Sequence, residues 1–258
     1  MNKDTPFIQC KNISKEFSKN GISFKAVDSV DLSIYKGECY GLVGESGSGK
    51  STLSSIICNL LQQTSGTVQL EGTDTRKIKL KDFTKKCQII FQDPYSSLNP
   101  KMKIKDIIEE PLKIHKIGKS SQERKGLVNE MRTLVGLPPD CLEKYPSQLS
   151  GGQRQRVSIA SAMILKPEFV ICDECVSSLD VLIQNQILNL LKSMQKNFNL
   201  TFLFISHNLN VIAYMADRIG VMCKGKIIEE NTTDLLLKNC KTEYTRNLLQ
   251  AAGLLDEL

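Results

Sequence analysis

The sequence predicts an α/β protein with a mostly parallel sheet, an antiparallel β portion near its N-terminus and a helical insertion. Three observations carry that expectation. Short apolar runs of strand length recur along the chain. Segments with helical spacing alternate with them, which favours a parallel sheet covered by helices. Over residues 106–146 the strand signal disappears and only helical spacing remains.

Residues 7–13 and 25–34 alternate apolar with polar side chains and are separated by Lys19, Asn20 and Gly21, a turn sequence, so an antiparallel pair is expected there. The runs 39–43, 88–91, 169–172 and 201–205 are short, apolar and bounded by polar or turn residues, as buried strands are. Helical spacing marks 50–60, 152–165, 181–197 and 208–215. In the insertion, 104–114 and 121–135 read as two helices. Gly118, Ser120 and Ser121 loop between them, and Gly136, Pro138 and Pro139 end the second.

Bulk properties narrow the class. The 258 residues can hold one large domain or two small ones, and 41% hydrophobic with 24% charged residues is ordinary for a globular protein in water. No stretch reaches the roughly 18 uncharged apolar residues of a membrane span. The first ten residues, with Lys3, Asp4 and Pro6, lack the apolar core of a secretion signal. The expectation is a cytosolic protein, unless a partner holds it at a membrane. A net charge of +6 suits nucleotides, acidic lipid or nucleic acid, but the basic residues are scattered singly and read as solvated faces. Nine cysteines, scattered from Cys10 to Cys240, read as reduced thiols. Cys172 and Cys175 form the one C-x-x-C pair. With no second pair and only His115 and His207 as histidines, ordinary thiols are expected there and not a zinc site.

The strongest chemical signal is Gly44-Glu45-Ser46-Gly47-Ser48-Gly49-Lys50-Ser51, followed by Thr52, between an expected strand and an expected helix. This is the phosphate-loop pattern G-x-x-x-x-G-K-[ST]. Its glycines let successive backbone N–H groups point at a phosphate, and the helix that begins near Lys50 adds its dipole. The Lys50 ammonium would neutralise β- and γ-phosphates, and the Ser51 hydroxyl could ligate Mg²⁺. A second anion site follows from Leu149, Ser150, Gly151, Gly152 and Gln153, where Ser150 can cap the next helix and two glycines expose its N–H groups. Asp173 and Glu174 close the run 169–172 at the strand end that faces ligand in α/β sheets. Asp173 would hold Mg²⁺ through water and Glu174 would polarise an attacking water.

With these motifs the chain resembles, over almost its whole length, the ATPase subunits of ABC transporters. The stretch 149–153 matches the family signature. By that resemblance Gln92 is the Q-loop glutamine, a ligand of Mg²⁺ and water that faces the permease. Asp180, in Ser178-Leu179-Asp180, belongs to the D-loop, and His207 is the switch histidine on the γ-phosphate. Phe17 sits where the family stacks an aromatic on adenine, with Phe24 as the alternative. The segment 91–100, Tyr145-Pro146-Ser147-Gln148, the residues 176–181 and the tail Glu243-Tyr244-Thr245-Arg246-Asn247-Leu248-Leu249 resemble importers of oligopeptides, dipeptides or nickel. Cys175 stands where a proline usually follows the glutamate, and Ser161 where an arginine is common.

The resemblance implies one ATPase domain over 1–258, with a helical subdomain at about 93–165, a short helical tail at 232–258 and no long regulatory domain after it. It implies ATP and Mg²⁺ as cofactors and ATP hydrolysis to ADP and phosphate as the reaction. Two subunits, identical or homologous, would pair head to tail, so that Lys50 and Ser51 of one and 150–153 of the other grip one ATP. The further partners would be two transmembrane permease subunits and, indirectly, an extracellular or periplasmic solute-binding protein, but no nucleic acid. The place would be the cytoplasmic side of the membrane, peripherally. The alternatives are a soluble ABC-type ATPase uncoupled from any permease, and a P-loop kinase or GTPase. Against the latter stand the signature and the lack of an Asn-Lys-x-Asp motif.

Overall fold

The computed structural model describes residues 5–19 and 22–255. Asn20 and Gly21 of the expected turn, part of the N-terminal stretch read for a secretion signal, and the last three residues of the expected tail lie outside the described residues. In chain order the elements are β1 (Ile8–Lys19), β2 (Ile22–Ile34), β3 (Cys39–Val43), α1 (Lys50–Ile57), β4 (Ser65–Leu70), β5 (Thr73–Asp74), α2 (Leu80–Lys86), β6 (Cys87–Ile90) and the short α3 (Pro94–Ser97). Then come α4 (Ile104–His115), α5 (Ser121–Leu134), α6 (Gly151–Met163), β7 (Phe169–Asp173), α7 (Val181–Phe198), β8 (Thr201–Ile205) and α8 (Leu209–Met215). The chain closes with β9 (Arg218–Cys223), β10 (Lys226–Thr232), α9 (Thr233–Lys238) and α10 (Glu243–Ala251). Two compact units result: one joins the chain up to Lys79 with the chain from Asn199 onward, and the other is Leu80–Phe198.

In the first unit an antiparallel sheet runs β2-β1-β4-β5, as the alternating N-terminal pattern requires. Its β1–β2 ladder pairs Ile8 with Ile34 and Phe17 with Phe24. Beside it, β3 lies parallel between β8 and β9, with Leu42 opposite both Ile205 and Gly220. All five residues of β3 and all five of β8 are buried, which is why neither alternates apolar with polar along its length. Strand β10 folds back on β9 through Lys224 and Gly225 at φ 47° and 81°, the left-handed pair of a tight hairpin turn. Helix α1 stops at Ile57, short of the expected residue 60, because Asn59 turns left-handed at φ 58°.

The second unit sets β6 parallel to β7, with Ile90 opposite Cys172. Helix α4 buries Ile104, Ile107, Ile108 and Leu112 along one stripe. Ser120 caps α5 by accepting the Glu123 N–H, and Arg124 of α5 meets Glu109 of α4 at 2.8 Å. Pro111 lies inside α4 and has no N–H to give the Ile107 carbonyl. The Ser161 hydroxyl of α6 donates to that same Ile107 carbonyl at 3.4 Å. Serine at 161 thus brings a hydroxyl donor to a carbonyl that the proline cannot serve. Cys175, the other departure from the family pattern, is 1% exposed and packs as a small buried side chain.

Candidate active site

Within the first unit the phosphate loop leaves the end of β3 and enters α1. Gly44, Gly47 and Gly49 have φ of 152°, 79° and 106°, angles at which a Cβ is strained. At Gly49 space forbids one too: a Cβ would lie 2.2 Å from the Ala26 carbonyl oxygen of β2. The loop is tied further by Gly225 N–H to Ser48 O at 2.9 Å, while Asp28 N–H reaches Gly225 O at 2.9 Å. Lys50 is 4% exposed, and its ammonium donates to the Gly44 and Glu45 carbonyls at 2.7 and 2.8 Å. Ser51 is exposed at the start of the helix, with Thr52 half-buried behind it. A cradle of N–H groups closed by a lysine fits a polyphosphate. Glu45, Ser46 and Gly47 form its exposed rim, and Ser48 lies buried beneath.

His207 belongs to the same unit. Since β8 runs parallel to β3 in adjacent register, the exposed His207 leaves the strand end next to the phosphate loop, with Ser206 N–H donating to Leu42 O at 3.4 Å. Asn208 caps α8 directly after it. Phe17 and Phe24, left as alternatives by the sequence, face each other across β1 and β2 with ring centroids 5.8 Å apart, and Lys15 sits 5.2 Å over Phe17. They form one aromatic pair, of which Phe24 is the half-exposed member.

The second unit repeats the arrangement with other motifs. Gln92 follows β6, and Asp173 and Glu174 end β7, so all three issue from the same end of a parallel pair. Glu174 takes a left-handed backbone at φ 49°. Ser177 fastens this turn, its hydroxyl donating to the Glu174 carbonyl at 2.9 Å and meeting the Gln92 amide at 3.4 Å. Asp180 caps α7 by accepting the Ile183 N–H at 3.0 Å. Ser150 caps α6, and a reciprocal box joins Ser150 Oγ to the Gln153 N–H and Gln153 Oε1 to the Ser150 N–H. The glycines of the signature differ in purpose. A Cβ on Gly152 would lie 2.6 Å from Ile183 Cγ2, whereas one on Gly151 would come only to 3.7 Å of Leu179. Gln92 and Asp173 of this unit each carry a hard oxygen donor of the kind Mg²⁺ takes, as Ser51 does in the first unit.

Sequence reasoning missed two residues that bear on the loop. Gly225 is one. Tyr244 is the other: its hydroxyl accepts the Glu45 N–H at 3.1 Å across 199 residues of chain. No local pattern marks Gly225, and the tail pattern around Tyr244 gives no sign of a contact with the loop.

A glycine-bent phosphate loop between a buried parallel strand and a helix, with a carboxylate pair at another strand end, defines a P-loop nucleoside triphosphatase. Residues 27–177 match the ABC transporter family. The chain belongs to that family, as an ABC-type ATPase. It is 47% identical to the oligopeptide transport ATP-binding protein OppF of Bacillus subtilis (strain 168), over 96% of this chain and 83% of that one. It is 44% identical to the dipeptide transport ATP-binding protein DppF of Lactococcus lactis subsp. cremoris (strain MG1363), over 97% and 82%. Among solved structures, the dimeric post-hydrolysis state of the ATP-binding cassette MJ0796 bound to ADP and Pi is similar, with 30% identity and a TM-score of 0.80, covering 88% of this chain and 98% of that one.

Proposed function

We propose that this chain powers a bacterial peptide importer, hydrolysing ATP at the cytoplasmic face of the membrane for permease subunits it does not itself contain. The observation that carries the reading is its 47% identity, over 96% of its length, to an oligopeptide transport ATP-binding protein. Among the described residues no helix is long and apolar enough to cross a membrane, which accords with a peripheral subunit. The relatives' names favour oligopeptides or dipeptides over nickel as the cargo.

The roles follow from the chemistry at each position. Backbone N–H groups of residues 46–51 and the Lys50 ammonium bind and orient the β- and γ-phosphates. Ser51, Gln92 and Asp173 would hold Mg²⁺, which neutralises phosphate charge when bound. Glu174 orients a water and takes its proton as the oxygen attacks the γ-phosphorus and the bond to ADP breaks, leaving ADP and phosphate. His207 donates to the γ-phosphate, and Phe17, backed by Phe24, stacks on adenine. A second subunit, homologous or identical, supplies Ser150, Gly151, Gly152 and Gln153 to the far side of the nucleotide, with Asp180 shaping that contact. ATP then favours the paired state through its differential affinity. The helical stretch at about 93–165 and the loop at Gln92 pass the closure to the permease, while the tail from 232 stays with the first unit.

The test is Glu174→Gln in the purified chain with its partner subunit and magnesium. Phosphate release falls by about 100-fold or more, while ATP binding and ATP-promoted pairing persist. Turnover at the wild-type rate would remove Glu174 from its role. Cells lacking the chain should lose uptake of labelled oligopeptides, and intact uptake would refute the peptide assignment.

A further inference from the structure

We propose that helix α10 braces the nucleotide site of its own unit, with Tyr244 as a positioning residue for the phosphate loop. The inference rests on the ATPase reading above and assigns a task to a segment that reading leaves idle.

Four observations converge. The Tyr244 hydroxyl accepts the Glu45 N–H at 3.1 Å. The carbonyl of the same peptide unit, Gly44 O, receives the Lys50 ammonium at 2.7 Å. The Gly44–Glu45 peptide plane is thus held at both poles, one by the phosphate-binding lysine and one by α10. Rotating that plane would turn the entry to the loop and shift the Lys50 anchor with it.

The start of α10 is itself fixed. Glu229 of β10, 8% exposed, accepts the Lys241 N–H at 2.6 Å, the Thr242 N–H at 3.0 Å and the Thr242 hydroxyl at 2.9 Å. Thr242 in turn caps α10 through the Thr245 N–H. The far end of α10 reaches helix α8, which follows His207: Asn210 in its first turn donates to the Ala252 carbonyl at 3.1 Å. One helix therefore spans from the phosphate loop to the helix that follows His207. Burial keeps the Tyr244 phenol above its usual range, so it stays a neutral hydroxyl.

Tyr244→Phe removes only the hydroxyl and keeps the buried Thr245 and Leu249 that dock α10. Losing one hydrogen bond to the loop should raise KM for ATP about three- to tenfold, with kcat within about twofold of the wild type. Amide hydrogen exchange over residues 44–49 should quicken while the melting temperature stays unchanged. Arg246→Ala, on the exposed face of α10, should move none of these. Unchanged KM and unchanged loop exchange in Tyr244→Phe would overturn the proposal, as would losses that track the melting temperature. If the wild-type protein binds no ATP, the ATPase reading fails, and exchange at 44–49 still decides the brace.

Discussion

Replacing Gly152 by alanine tests why the signature needs that glycine. The added Cβ would stand 2.6 Å from Ile183 Cγ2, where carbon atoms prefer about 3.5–4.0 Å. Neither side yields readily. Ile183 is β-branched and stiff at χ1 in a helix, and its backbone N–H is held by Asp180 at 3.0 Å. Overpacking of this kind costs about 1–3 kcal/mol, offset in part by a helix-propensity gain of up to about 1 kcal/mol. The single variant therefore mixes two effects of opposite sign, and a double-mutant cycle separates them. Ile183→Ala removes Cγ2, so Gly152→Ala made in that background should shed the overpacking and keep the propensity gain. The coupling, read from urea unfolding of the four proteins, should be about 1–3 kcal/mol. Additivity within about 0.5 kcal/mol would refute the steric account and leave exposure of the N–H groups as the reason for the glycine.

Gly49→Ala should abolish nucleotide binding while the protein still folds, because its Cβ would meet the Ala26 carbonyl at 2.2 Å, and a backbone atom can give way only if the loop moves; titration with a fluorescent ATP analogue checks it. Glu229 supplies a pH dependence. Burial alone would raise its carboxyl, but hydrogen bonds from Thr245, Lys241 and Thr242 hold it below the ordinary 4.5. Its contribution is therefore fully present above pH 4.5 and is lost as pH falls through the lower folded-state value. Glu229→Gln should be less stable than the wild type at neutral pH, with the gap narrowing below pH 4.5; a gap constant with pH would contradict this.

Much of the fold was legible because burial is written in runs. Strands β3 and β8 match their expected bounds residue for residue, since both lie wholly buried and end at Gly44 and Ser206, where the chain turns away from the sheet. The stripe of Ile104, Ile107, Ile108 and Leu112 likewise announced α4. Strands β9 and β10 went unread, because the turn joining them is Lys224-Gly225, outside the usual Asn-Gly or Asp-Gly pairs, and β10 alternates without a dry face. The candidate site was legible where its chemistry is contiguous, as at residues 44–51. It was silent where a contact spans the chain, as between Glu45 and Tyr244. That Phe17 and Phe24 stand opposite each other follows from strand register, which neither residue's local sequence shows.

Glu174 carries one more implication. A left-handed backbone at φ 49° is a conformation that glycine or asparagine would occupy at lower conformational cost, by about 1 kcal/mol. Selection for thermal robustness alone would thus erode the very side chain assigned to activate water. If Glu174→Gln loses turnover as proposed, a glutamate in that place is a compromise: a slightly weaker scaffold kept for the chemistry of its carboxylate.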